Sequence, residues 1–393
     1  MKKILCLILI FFTVISSPIF YGNIYAFAED SNQSIEAQIS DSIDEQLSNL
    51  DTSKLEELFA SITNSNEVFK ASDFNTLIKS IINGNAQIEA SSFVNYIVRI
   101  FFDDVINYLP YACLMLAIAV LYSMVAGTSE SNKSISDIVH FVCFGAIVVI
   151  CISCITHLVG LTSQTIGSVK SQMDVVFPIL LTLVTALGGN VSASVFQPAM
   201  VTLSGFAISL FTNILLPLFT FKIIFTIISN LTSGVKFNKF AEFFGSCFKW
   251  ILGGLLTIFT AFMSISGIMA GSVDGISIKT AKYTIKSGVP IIGGFLSDGV
   301  NVIMMSCSLI KNALGTCGLI LLFCSIIVPV LKIIVFSLLM KLVSAILEPI
   351  ADSRVTSFVS DVAKTISTLI AIILGVAFMY LIVVGLIMCL LNF

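Results

Sequence analysis

From about position 105 onward the chain is a series of apolar blocks separated by short polar or glycine-containing stretches. The blocks are Asn107–Ala126, Ile138–Gly160, Val175–Leu187, Val195–Asn230, Trp250–Gly271, Pro290–Leu309, Asn312–Ile350 and Leu369–Leu391. A helix crosses the hydrocarbon of a bilayer with roughly 20 predominantly apolar residues. Four blocks meet that length directly: Asn107–Ala126, Ile138–Gly160, Trp250–Gly271 and Leu369–Leu391. Val175–Leu187 is short and ends in Gly188-Gly189, and Pro290–Leu309 is interrupted by Gly293-Gly294 and Asp298. Val195–Asn230 is too long for one crossing and carries Pro217, which predicts two helices or one long kinked one. Asn312–Ile350 is also too long and is expected to break near Pro329. The pattern predicts an all-α polytopic membrane body over residues 105–393, with about seven to nine spans.

The front of the chain has a different texture. In residues 29–104, Ile35, Ile39, Ile43, Leu47 and Leu50 recur every three to four positions among acids and serines, the spacing of an amphipathic helix. Ser53 with Glu56 forms a capping-box pattern before Leu58 and Phe59. Ile97, Ile100, Phe101 and Val105 make a further stripe that leads into the first span. A region this short supports a small core at best, so it reads as a helical cap that packs on a partner or on the membrane body. Ahead of it, Lys2 and Lys3 precede the apolar run Ile4–Phe20, and Ala26-Phe27-Ala28 supplies small residues at cleavage spacing. Residues 1–28 therefore read as a signal peptide cleaved after Ala28, the alternative being an uncleaved first membrane helix. Either way, residues 29–104 begin on the extracytoplasmic side.

Composition narrows the class. Of 393 residues, 57% are apolar and 11% charged, against about 45–50% and 25% in soluble domains. That excludes a cytoplasmic enzyme and a disordered protein and makes the lipid bilayer the first partner. A net charge of −3 argues against nucleic acid. The charge is divided: residues 29–104 hold 14 of the 23 acidic residues against four basic ones, and the body is net basic. Lys236, Lys239 and Lys249 form one basic loop, and Lys279, Lys282 and Lys286 a second. The positive-inside rule places both in the cytoplasm, yet the single span Trp250–Gly271 separates them, which leaves orientation open.

Candidate chemistry is sparse. Cys6 lies in the signal, residues 29–104 contain no cysteine, and the others lie in or beside apolar blocks as small hydrophobes. Cys151, Cys154 and His157 share a spacing of three but lack the second ligand pair that a zinc site needs. Protease, hydrolase and nucleotide motifs are missing, so neither enzymatic activity nor a cofactor is expected. Inside the last long block, Ser337, Lys341, Ser344 and Glu348 are spaced four, three and four and share one helix face. Ionisable residues at membrane depth usually face a bundle interior or a wet cavity, so this stripe is a candidate polar path or subunit contact. Snorkelling of Lys341 and Glu348 toward headgroups is the competing reading. Lys222, Thr226 and Ser229 form a weaker copy after Pro217. Pro178 and Pro217 recur as Pro290 and Pro329 at an offset of 112 residues. At the same offset Lys170 meets Lys282 and Phe211 meets Phe323, a possible internal repeat of the kind that brackets transporter sites.

Three strings carry a family resemblance. They are DGISIKTAKYTIKSGVPIIGGFLSD at 274–298, GGNVSASVFQP at 188–198 and PVLKIIVFSLLMKLVSAILEP at 329–349. Together with the signal peptide, the polar front and the multispan body, they resemble the stage III sporulation protein AE family over nearly the whole chain. Asp274, Gly275, Lys279, Lys282, Pro290 and Asp298 mark its signature loop. Glutamine is common in the family where this chain has Glu348, which shifts weight in the stripe to Lys341 and its serines. The resemblance implies a membrane-embedded, permease-like subunit of a channel complex joining mother cell and forespore in endospore development. The implied partners are the other stage III membrane subunits and a forespore protein, and the implied location is the mother-cell membrane surrounding the forespore. A stand-alone secondary transporter of a small solute and a non-conducting membrane scaffold are the alternatives.

Overall fold

A computed structural model describes residues 42–43, 45–47, 52–63, 74–82, 90–128, 133–231, 237–288, 293–351 and 353–391. The expected signal peptide and Pro290 lie outside them. Among the described residues every regular element is a helix: α1 Ser53–Thr63, α2 Phe74–Ile82, α3 Ala90–Thr128, α4 Lys133–Ala186 and α5 Asn190–Leu210. These are followed by α6 Leu216–Leu231, α7 Asn238–Gly288, α8 Gly293–Leu347, α9 Ser353–Ile366 and α10 Thr368–Cys389. The all-α polytopic class holds, with six segments long and apolar enough to cross a membrane. They are Val94–Val125, Phe141–Ala186, Asn190–Asn230, Asn238–Ala281, Gly299–Leu347 and Arg354–Cys389.

Six falls below the expected seven to nine because separate apolar blocks fuse. Ile138–Gly160 and Val175–Leu187 join in α4, since the polar stretch between them still satisfies itself within the helix. The Thr162 and Thr165 hydroxyls donate one turn back, to the Leu158 and Leu161 carbonyls, each at 2.8 Å. Pro329 lies inside α8 instead of ending a helix. Val195–Asn230 is one rod whose π-helical turn Phe211–Leu215 directly precedes Pro217. Pro217 has no N–H to offer the Asn213 carbonyl, and the widened turn sits where that bond is missing. The element boundaries do not follow the offset of 112: the break at Gly188 has Val300 as its counterpart, which lies inside α8.

The spine of the body is α8, which packs against α3, α4, α7, α9 and α10. α10 carries no charged residue and is apolar on every side. Such a helix belongs in an interior, and Leu369, Ile372, Ile373, Val376, Val383, Val384 and Ile387 are all buried. Glycines let it approach its neighbours. A Cβ on Gly318 would lie 2.8 Å from the Tyr380 hydroxyl, and one on Gly375 3.1 Å from both Leu252 and Phe211. The Tyr380 hydroxyl, fully buried, donates to the Gly318 carbonyl at 3.1 Å. α10 runs antiparallel to α8 and alongside α4, whose Phe177 ring lies 5.4 Å from that of Tyr380. The α6–α7 hairpin is held by stacked rings, with Phe225 5.4 Å from Phe240 and 5.3 Å from Phe244.

α9 is amphipathic, burying Val355, Phe358, Val359, Val362 and Ile366 while exposing Arg354 and Lys364. The front helices lie on the body. Ile43, Leu55, Phe59 and Ile78 are buried in the same continuous core, and α1 and α2 contact α8. The capping residue of α1 is Thr52 and not Ser53: its hydroxyl donates to the Glu56 carboxylate at 2.9 Å, and its carbonyl accepts from Leu55 N. Ser53 already lies inside the helix and is exposed.

Length sets how this body meets a bilayer. α4, α7 and α8 have 54, 51 and 55 residues, which at about 1.5 Å per residue is roughly 80 Å each. The hydrocarbon is only about 30 Å thick. The 22 residues of α10 match it, at roughly 33 Å. Replacing Gly318 with leucine is expected to overpack the α8–α10 contact, at a cost of about 1–3 kcal/mol. The check is the thermal unfolding midpoint of the purified chain in detergent, and an unchanged midpoint would mean that the contact is not tight.

Candidate functional site

Two of the three sequence strings meet at a buried carboxylate. α4 ends at Ala186, and the chain turns at Gly188, whose φ of 88° is a backbone conformation that glycine adopts without strain. The Gly189 N–H reaches the Val184 carbonyl and the Gly188 N–H that of Thr185, each at 2.9 Å. That is the paired pattern of a Schellman ending. Gly189 has no space for a side chain either, since a Cβ there would lie 2.6 Å from Val184 and 2.7 Å from Leu391. α5 therefore starts with no side-chain cap of its own, leaving first-turn N–H groups to be satisfied from elsewhere.

Asp274 supplies the partner from α7. Its Oδ1 accepts from Val191 N at 3.0 Å and its Oδ2 from Ser192 N at 2.7 Å. The side chain is almost fully buried, at 1% exposure. One turn earlier on α7, a Cβ on Gly271 would lie 3.2 Å from the Leu390 side chain, so this stretch also packs on the end of α10. The α10 terminus has its own charged partner: Lys311 of α8 is fully buried and donates from Nζ to the Leu390 carbonyl. Each charge opposes the partial charge of the helix end it meets, a carboxylate at an N-terminus and an ammonium at a C-terminus. The chemistry on offer here is the fixing of helix ends. Asp274 was among the signature positions, whereas Lys311, a lysine between two apolar blocks, was not singled out from the sequence.

The remaining signature positions are helical, so the loop expected at 274–298 is corrected. Asp274, Gly275, Lys279 and Lys282 lie in α7, which continues to Gly288, and Asp298 lies in the first turns of α8. Asp274–Gly288 holds no proline, so the helix that the preceding span has already nucleated meets no residue that breaks it. Pro290 lies outside the described residues.

The Ser337 stripe faces α9. Ser337 Oγ donates to the Ala363 carbonyl at 2.9 Å and Ser344 Oγ to that of Thr356 at 3.1 Å, and both serines are buried. Lys341, between them, is half-buried, and Glu348 is exposed in the turn after α8. In the weaker stripe Lys222 lays its stem over Gly245 and donates to the Thr368 hydroxyl at 3.3 Å, at the start of α10. The Thr226 hydroxyl bonds back to the Lys222 carbonyl at 2.9 Å, and Ser229 bonds Asn238 across the α6–α7 turn. The two stripes thus meet different neighbours. Cys151 and Cys154 are buried and His157 is exposed. Among the described residues no group of three or more histidine, cysteine or acidic side chains is gathered as a metal site.

Residues not anticipated from the sequence complete the polar interior. Gln172 of α4 is fully buried and donates to Ser325 of α8. Asp104 of α3 is buried, with Lys332 of α8 as its cationic neighbour. Tyr108, one turn on, packs its ring 5.2 Å from Phe336.

The family model described as stage III sporulation protein AE matches residues 72–390. Stage III sporulation protein AE of Bacillus subtilis (strain 168) is 25% identical over 249 residues, which is 63% of this chain. The match spans 62% of that relative's length. No solved structure matches.

Hydrogen bonds to charged groups are worth roughly 1.5–3 kcal/mol each, and Asp274 makes two inside the body. Asp274→Ala is expected to cost about 3 kcal/mol or more, and Asp274→Asn, which keeps one acceptor, about half as much. Thermal unfolding of the detergent-purified full chain reads this directly. Equal midpoints for the alanine variant and the parent would remove the capping role.

Proposed function

Because the chain belongs to the stage III sporulation protein AE family, we propose that it is the membrane-embedded, permease-like subunit of the channel complex joining mother cell and forespore. The observation that carries this is the family match over residues 72–390, a stretch that includes all six crossing segments. On this reading the chain sits in the mother-cell membrane that surrounds the forespore. Residues 29–104 project into the space between the membranes, toward the other stage III subunits and a forespore partner. The acidic excess of that front supports docking on a partner surface, since a solvated charged face favours specific encounter. The chain works as a conduit part, with no cofactor and no chemistry of its own.

Within this reading the Ser337–Glu348 face and the Lys222–Ser229 face serve as polar path or subunit contact. Lys341 is the member best placed for that role. It is a half-buried lysine set between Ser337 and Ser344, whose hydroxyls donate to α9 carbonyls. A lysine there has a function to offset its desolvation.

Lys341→Leu is expected to lower the yield of heat-resistant spores by an order of magnitude or more while leaving the protein's level in the membrane unchanged. Normal spore yield from a normally accumulated variant would overturn the role of Lys341. Two further measurements separate the alternatives. Solute uptake by the purified chain alone in proteoliposomes would favour a stand-alone transporter. Rescue by residues 29–104 on an unrelated membrane anchor would favour a scaffold.

A further inference from the structure

We propose that Asp104 and Lys332 form a proton-binding site between α3 and α8, in which the Asp104 carboxyl is protonated at neutral pH and Lys332 is its counter-ion once it ionises. The inference goes beyond the conduit reading and does not rest on it. Among the described residues three charged side chains are buried: Asp104, Asp274 and Lys311. Asp274 accepts two N–H groups, and Lys311 donates to a carbonyl. Asp104 is the exception. It is 4% exposed, and its Oδ2 meets no donor. It also lies in the interior of α3, well away from either end, so no terminal N–H group or helix dipole serves it.

The surroundings are apolar. On α3, Phe101 and Val105 pack on the continuous core, and Tyr108 is buried in it. On α8, Ile333 and Phe336 are buried next to Lys332. Tyr108 sets the register of the two helices, with its ring 5.2 Å from that of Phe336. Asp104 lies one turn before Tyr108 and Lys332 one turn before Phe336, which brings the carboxyl and the ammonium to one level. Lys332 is half-buried, yet the two close no ion pair. Arg99 is turned outward, 3.9 Å from Asp103. Asp103 adds a second negative charge beside Asp104. The other titratable groups near Tyr108 are Tyr111 of α3 and Cys154 of α4, and neither is a cation.

Burying an ionised carboxylate that is neither paired nor hydrogen-bonded costs far more than burying the neutral acid. The group is therefore carried as the acid. Losing the proton creates a buried anion, and its cationic neighbour Lys332 holds its charge on a flexible four-carbon stem. Ionisation closes an ion pair between α3 and α8, and protonation releases it. Ionisable residues placed in this way inside membrane proteins serve proton-linked steps.

The test uses the detergent-purified full chain. The infrared difference between the parent and Asp104→Asn at neutral pH is expected to show the carbonyl stretch of a neutral carboxylic acid. A carboxylate band in its place would overturn the protonated state. Thermal unfolding gives an independent readout. The unfolded chain releases this proton at about pH 4, while the folded chain keeps it. Folding then takes up a proton, so the parent loses stability as pH rises, whereas Asp104→Asn has no proton to take up. The variant's midpoint is expected to climb relative to the parent's between about pH 5 and about pH 8. A constant gap, or a variant that drops below the parent as pH rises, would overturn the proposal. Lys332→Gln tests the counter-ion. It is expected to lower the midpoint at alkaline pH in the parent but not in Asp104→Asn, and equal effects in both would remove Lys332 from the site.

Discussion

A helix that begins or ends inside an apolar body brings backbone groups that no water can take, and the arrangement of this protein depends on how two such ends are served. Asp274 takes two N–H groups at the start of α5, and Lys311 takes a carbonyl at the end of α10. Both side chains are costly to bury alone, and both are tolerable because each faces a helix end of opposite partial charge. The glycine pair at 188–189 makes this possible. It turns the chain within two residues and leaves room for Leu391 to fit against the turn. One end of the bundle is thereby tied through four helices, α5, α7, α8 and α10, by contacts that cannot be exchanged for apolar packing.

The rest of the body follows from close approach. Lipid tails are as apolar as leucine, so helices in a membrane gain little from burying apolar surface against each other. They rely on tight packing and on hydrogen bonds between helices. Gly318 and Gly375 give α10 that proximity, and the buried bonds Tyr380 to Gly318, Gln172 to Ser325 and Ser337 to Ala363 fix its neighbours in register. These bonds are spaced along α8, which explains why so long a helix can act as a spine and stay continuous past Pro329. The front helices join by the ordinary means of soluble proteins, setting Leu55, Phe59 and Ile78 onto the core.

Class, family and the main apolar blocks were legible in the sequence because they depend on composition and local order. The number of crossings was not. Block length cannot tell a break from a polar stretch that helical back-bonding carries through, as at Thr162 and Thr165. Asp274 was legible as part of a string, but its task was not, since the N–H groups it accepts lie more than 80 residues away in sequence. Lys311 was missed for a related reason. Its partner is a backbone carbonyl, which every residue possesses. Of the Ser337 stripe, Ser337 and Ser344 both meet α9, which periodicity alone could not say, and Glu348 lies in the turn past the helix.

That last point separates two kinds of polar face in the same chain. The serines at 337 and 344 are polar in sequence and inward in space, with their hydroxyls on α9 carbonyls. α4 shows the opposite case: its inward side is apolar apart from Thr162, Thr165 and Gln172, and between Ser153 and Thr185 its polar groups point out. A hydrophobicity profile averages over helix faces and so treats the two alike. The burden of a polar group in a membrane is set by what lies opposite it. For α9-covered serines that question is answered within the chain.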